Sequence, residues 1–388
     1  MATRYLTTYH DVVDHLMDFL GSSASGTRDR GECRRATLEA LREIVNLHRW
    51  SYYHQIGRLN TVATYETGTV EYDHTGGVYE RQLTLTTGTW PTWAQNGTVV
   101  ISSVPYDVFD RKSDSVVTLS ANSNPGADVA ASTTYRLYRD AYPLPSNFAT
   151  LTSEVHDLNS KATLSYIKPG EWHNQRTWSN SGGVPSFYTI VGDPNYHDIQ
   201  TIRFQPAPTS AIAYGFLYKR NARRLLTEEY STGTVTVSGT TVTGSGTAFT
   251  SNHVGCVIRI SSTSDAPTGL AGSNPFTEER IVKTWTDAST LVIDTAFTGT
   301  YSAKKFILSD PIDVESQTML NLFFRTAELK LATIRRPTDR GAVYAAWQRD
   351  YELALAADTR YSVTHSVNSG VGMNFAKHLL AYGESDLG

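Results

Sequence analysis

His10, Asp11, Asp14 and His15 stand together in HDVVDH, where His10 with Asp14 and Asp11 with His15 are i, i+4 pairs. On a helix such pairs share a face and could grip a metal ion. The four nevertheless lie on the polar side of the helical wheel, away from the apolar stripe, which predicts solvated charge pairs instead. Cys33 and Cys256 are the two cysteines of the chain, too few for a disulfide framework and suited to a reducing compartment. Cys33 reads as a small buried hydrophobe rather than a nucleophile. The P-loop, H-E-x-x-H, G-x-S-x-G, EF-hand and Cys/His zinc patterns are absent, and the carboxylates are scattered rather than paired. The expectation is no enzyme, no catalytic residue, no cofactor and no metal.

Other residues could bind rather than react. Trp90, Trp93, Trp172 and Trp178 could stack on a sugar, although tryptophan serves a core or a subunit contact more often. The basic run YKRNARR offers Lys219, Arg220, Arg223 and Arg224 as candidate phosphate contacts. The same residues would also suit subunit salt bridges or a solvated strand end. Net charge is −4 over 388 residues, so the whole is not built to grip nucleic acid, though it would suit a passage along which a polyanion slides.

Periodicity supplies the elements that must carry these residues. Tyr9, Val12, Val13, Leu16, Met17 and Leu20 mark one helical face, with Thr8 as cap, Asp11 three residues on and Gly21 as stop. A second helix is expected over roughly 29–48, with Leu38, Leu41, Val45 and His48 on its stripe. Two more come late: one with Leu320, Phe323, Phe324, Ala327, Leu331 and Ile334 inward, stopped by Pro337, and one with Val343, Trp347, Tyr351 and Leu355 inward. Single amphipathic helices are not stable alone, so the N- and C-terminal pairs must pack together. Leu322 and Leu329 lie on the other side of the third helix and suit either a deeply buried helix or contact with a neighbouring subunit.

Between these ends the chain is Thr-, Ser- and Gly-rich β material, and it repeats itself. YETGTVEY (65–72) matches YSTGTVTV (230–237), and 85–103 lies over 241–261, pairing Gly88 with Gly246, Gly97 with Gly255 and Val99 with Val257. Residues 114–119 then match 289–294, and 134–145 match 304–313 with Asp140 on Asp310. The fold class expected is α+β: a helical bundle from both ends, a central β region and two mutually related small β-barrel or sandwich modules. The boundaries expected are helices 1–64, module one 65–143, central segment 144–229, module two 230–312, helices 313–360 and an arm 361–388. In the central segment FYTIV, TIRF and IAYGFLYKR read as three strands, with GDPN and PAPTS as hairpin turns. The Gly/Ser/Asn-rich arm carries Met373, Phe375, Lys377, Leu379, Leu380 and Tyr382, a composition that suits ordering on a partner's surface or folding back on its own chain. No 18-residue apolar run and no signal-peptide core are present, so a soluble, cytoplasmically made chain without a membrane span is expected.

Two N-terminal helices followed by LHRWSYYHQIGRLNTVATYETGTV, then YPLPSNFATL, then PSFYTIVGD and IRFQPAPTSAIAYGFLYKR, then C-terminal helices, form a familiar layout. It resembles the head-to-tail adaptor proteins of short-tailed bacteriophages, also called connector, tail tubular or head-completion proteins. The resemblance covers residues 1–72, 142–230 and 313–360, and LPSNF and FYTIVGD…IRFQPAPTSA are its most specific parts. Residues 230–312 look like an insertion similar to β modules of phage structural proteins. What the resemblance implies is a non-enzymatic ring of twelve copies in the virion neck, assembled in the host cytoplasm. It would join portal to tail nozzle, pass DNA without sequence specificity, dock its arm on the portal, and hold fibre or nozzle proteins by its β modules. The competing expectation is a tail-fibre or other virion component that binds host glycan through exposed aromatics.

Overall fold

In the computed structural model of the chain, Thr8 opens the first helix by a reciprocal cap: its hydroxyl accepts from Asp11 N–H while the Asp11 carboxylate accepts from Thr8 N–H. The structure describes residues 6–21, 27–74, 80–176, 182–193, 199–268, 273–314 and 316–367, with backbone alone at 173–176 and 359–367. Five α-helices lie among them: α1 (Tyr9–Leu20), α2 (Thr27–Leu47), α3 (Pro169–Arg176), α4 (Gln317–Arg335) and α5 (Arg340–Val367). The fold is mixed α+β, with helices toward both ends and a β region between. The described residues form two units, Met1–Tyr53 with Ala222–Gly388 and His54–Asn221.

In the first unit, α1, α2, α4 and α5 feed one apolar core. Val12, Val13 and Leu16 of α1, Ala40 and Ile44 of α2, Leu322, Phe323 and Ala327 of α4 and Ala354 of α5 all belong to it. Ser316 caps α4 by accepting from Met319 N–H. The buried side of α4 is wider than its sequence stripe suggested. It includes Met319, Leu322, Thr326 and Glu328, while Ile334 is 70% exposed. The segment joining α2 to the second unit is tied to α5, because Asp358 accepts from Ser51 N–H at 3.1 Å.

The same unit holds a six-stranded antiparallel sheet. Its strands are β16 (Thr234–Ser238), β17 (Thr241–Ser245), β18 (Val257–Ile260), β19 (Glu278–Asp287), β20 (Thr290–Ile293) and β21 (Phe306–Ser309), the fifteen earlier strands lying in the second unit. The order is β16-β17-β20-β19-β18-β21. Val235 exchanges hydrogen bonds with Lys304, just before β21, so one stretch of chain serves both edges and the sheet curls over Val242, Ile258, Leu291 and Phe306.

The second unit contains β1 (His54–Asn60), β2 (Val70–Asp73), β3 (Gln82–Leu85), β4 (Thr98–Ile101), β5 (Val104–Arg111), β6 (Val116–Leu119), β7 (Val129–Thr133) and β8 (Tyr135–Tyr138). These are followed by β9 (Ala141–Pro143), β10 (Phe148–Leu151), β11 (His156–Asp157), β12 (Ser165–Tyr166), β13 (Phe187–Gly192), β14 (Gln200–Gln205) and β15 (Ala213–Arg220). One sheet runs β7-β2-β3-β6-β5-β4-β8, and β7 and β8, consecutive in the chain, again form both edges. Without β7, its order corresponds strand for strand to that of the first unit's sheet. The matched TGT turns have one geometry: Gly68 at φ +83° and Gly233 at φ +88°, each with a carbonyl oxygen 2.1 or 2.5 Å from where a Cβ would sit. Hydrogen-bond register shifts two of the sequence pairings by one residue. Tyr65 faces Leu137 and Tyr230 faces Leu308, so Asp140 and Asp310 fall one position apart; by core position Val99 answers Ile258 rather than Val257.

The central strands split between two sheets. β13 and β14 form the expected hairpin, flanked by β12 and β9. β15 instead pairs with β1, β10 and β11. PAPTS is therefore a crossing between sheets, not a hairpin turn: Pro206 and Pro208 have no N–H to carry the ladder onward.

Candidate functional site

The polar side of α1 is only partly solvated: His15 and Asp18 stay exposed and His10 forms the expected i, i+4 pair with Asp14, but His10 is buried and partners from elsewhere in the chain cover the rest. Arg259 on β18 donates from Nη1 to Asp11 Oδ1 at 2.7 Å, from Nε to Glu279 Oε2 at 3.0 Å, and from Nη2 to the Leu6 carbonyl at 2.6 Å. Leu6 N–H in turn donates to Glu279 Oε1 at 2.7 Å, and the guanidinium lies 4.3 Å from the Phe276 ring centre. Arg259 and Glu279 are both buried. His10, also buried, lies 3.2 Å from Asp14, which accepts from Arg30 at 3.0 Å. Arg30 makes a 2.6 Å ion contact with buried Glu228, which also holds Arg34. His15 meets Glu328 of α4 at 2.7 Å, and Arg325 donates to that carboxylate at 2.6 Å. Burial alone would raise the Glu328 carboxyl, but its bonds to His15 and Arg325 hold it below the usual range. His10 and Asp14 thus pair with each other and share Arg30, while Asp11 and His15 go separately to Arg259 and Glu328. Among the described residues no group of His, Cys, Asp or Glu side chains is placed to hold a metal ion.

Arg223, one of the four basic residues singled out for phosphate, is committed inside the chain. It donates to Asp310 Oδ1 from Nε at 3.1 Å and from Nη2 at 2.6 Å. The same carboxylate accepts from Leu226 and Thr227 N–H at 2.7 Å each, and the Asp310 carbonyl accepts from Tyr9 N–H at 2.7 Å. A fully buried aspartate must be satisfied this way, so the charge of Arg223 is matched inside the chain. Lys219 and Arg220 lie on β15, whose register sets them opposite Thr150 and Phe148 of β10, and Arg224 follows in the first unit. Leu322 is fully buried in its own chain's core, which is the deeply buried alternative and not a subunit contact, whereas Leu329 is half-buried. Met373, Phe375, Lys377, Leu379, Leu380 and Tyr382 lie outside the described residues, as does Trp178. Trp90 and Trp172 are buried and Trp93 half-buried.

One further constellation has the residue types of a nucleophilic site: Cys256, His253 and Asp310. Its geometry holds the thiol protonated. Cys256 is fully buried, its Sγ lies 3.4 Å from Asp310 Oδ1, and burial beside that carboxylate pushes it up to about 12. His253 Nδ1 is occupied in accepting Thr250 N–H at 3.1 Å. Burial likewise pushes Cys33 up to about 11.

The surface of the helices carries exposed apolar side chains instead: Ile334 on α4, and Tyr344 and Leu353 on α5. Tyr344, Trp347 and Tyr351 stack along α5, with ring centres 5.8 and 5.4 Å apart. Trp347 is anchored by donating to Thr326 Oγ1 at 3.0 Å. No described helix is long and apolar enough to cross a membrane. No family model matches the chain, and no curated protein matches it.

Proposed function

We propose that the chain is a non-enzymatic virion structural protein, a ring-forming head-to-tail adaptor that joins portal to tail nozzle and leaves a passage for DNA. The observation that carries this reading is the single core shared by α1, α2, α4 and α5, drawn from the two ends of the chain with β material between them. In this account the four helices are the bundle of the subunit. The two curled sheets are copies of one module, supported by their common strand order and their matched glycine turns. Exposed Ile334, Tyr344 and Leu353 with half-buried Leu329 supply apolar surface for repeated contacts between copies, which ring closure requires.

Negative-stain imaging of the purified chain mixed with the portal protein tests the reading, with closed rings expected. Elongated trimers would instead favour a fibre protein. Deleting residues 368–388, which leaves α5 complete to Val367, is expected to abolish co-sedimentation with portal while the melting temperature stays the same. Unchanged co-sedimentation would remove the arm from the docking role.

A further inference from the structure

The side chains of α2 are sorted by charge. Asp29 and Glu32 hold Arg335, and Glu43 holds Lys330, so three of its four acids face cations of α4. Arg30 and Arg34 turn to another flank, toward Asp14 and Glu228. What remains outward is a row of arginines at every seventh position: Arg28, Arg35 and Arg42 on α2 and Arg49 just past its end, all exposed. Seven residues advance a helix by about 10 Å and return almost to the same azimuth, so the first three form a stripe about 20 Å long. Arg28 keeps a 3.4 Å contact with Glu32, and Glu39 is the exposed acid on this face.

Gly31 flanks the stripe. A Cβ there would meet nothing within 4 Å, so packing inside the chain gives no reason for a glycine in a helix interior, where it costs stability relative to alanine. Close approach of an outside surface would give one.

We propose that this face of α2 is a contact for the phosphate backbone of duplex DNA, a proposal that rests on the adaptor reading and assigns one face to the passing strand. A protein partner is the weaker match, because the row has no exposed aromatic or aliphatic side chain between its arginines, Leu38 being packed against the core, and such anchors supply most interface energy. Duplex DNA carries one charge per about 1.7 Å of axis, so evenly spaced arginines meet phosphates in any register and any sequence. On a chain of net charge −4 such a stripe holds DNA loosely, and a strand in transit can let go.

The test is binding of the full chain to a fluorescent duplex of mixed sequence, by anisotropy across a salt series, with particle size read on the same samples. R28Q/R35Q/R42Q/R49Q is expected to fold normally, lose about tenfold or more in affinity at low salt, and lower the salt slope by about 3. The charge-matched control K112Q/K161Q/K168Q/K283Q is expected to keep the wild-type slope within about 1. R35Q/R42Q, a milder change, is expected to show roughly half the slope effect. No binding by the wild type, no loss in the stripe variants, or an equal loss in the control each overturns the proposal. If rings form while the stripe variants bind DNA normally, the adaptor reading stands and this assignment alone fails. If rings are absent yet the stripe variants lose DNA binding, the reverse holds.

Discussion

Arg259 is the residue on which the junction between α1 and the β16–β21 sheet turns. Its guanidinium satisfies two carboxylates and a carbonyl at once, and truncation would leave Glu279 buried without its cation. Arg259→Ala is predicted to cost about 3–5 kcal/mol in urea unfolding, and Arg259→Met with Glu279→Gln to recover part of it. A loss under about 1 kcal/mol would show the cluster to be ornamental. Glu278 makes a second prediction, in pH. Burial alone would raise its carboxyl, but donors from Thr298 N–H, Gly299 N–H and the Tyr301 hydroxyl outweigh burial and hold it at about 2. A depressed folded-state pKa contributes stability that is present above the unfolded value, near 4.5, and is lost as pH falls through the folded one. Stability of the first unit should therefore decline between about pH 5 and pH 2, and Glu278→Gln should flatten that limb in a pH series of thermal melts. An unchanged acid limb in the variant would assign the decline to other groups.

Among the elements, α4 separates burial from assembly. Leu322→Ala removes a side chain from a sealed core and is predicted to cost about 2–5 kcal/mol. Leu329→Ala should cost under about 1 kcal/mol in the isolated chain and lower only the assembled fraction in size-exclusion chromatography. On α2, Gly31→Ala should raise unfolding free energy by about 0.5–1 kcal/mol, since nothing crowds the added methyl. Helix starts and stops were legible because capping is local: Thr8 with Asp11 and the Gly21 stop need only a few residues. The strands of the two curled sheets were legible from their alternation and from glycine turns. What lay hidden was whatever depends on distant partners. HDVVDH reads as a wet face because Arg259 and Glu328 lie roughly 250 and 310 residues away in sequence. On α4 the expected inward stripe holds except at Ile334, and its width was hidden because α1, α2 and α5 together cover more than one stripe. PAPTS looks like a turn by composition, and only the pairing of β15 with β1 reveals a crossing.

At the level of the whole chain, residues 222–312 share a unit with the terminal helices, while residues 54–221 form their own. The ionic junction explains the first grouping: Arg259 of β18 binds Asp11 of α1, Arg30 of α2 binds Glu228 ahead of β16, and the Asp310 carbonyl accepts from Tyr9 N–H of α1. The β16–β21 sheet therefore belongs to the same compact unit as the helices. Native mass spectrometry of the full chain with the portal protein addresses the central claim most directly. The account predicts a closed assembly near twelve times the 42.8 kDa subunit seated on the portal. A 42.8 kDa monomer at every concentration, with portal present or absent, would contradict it.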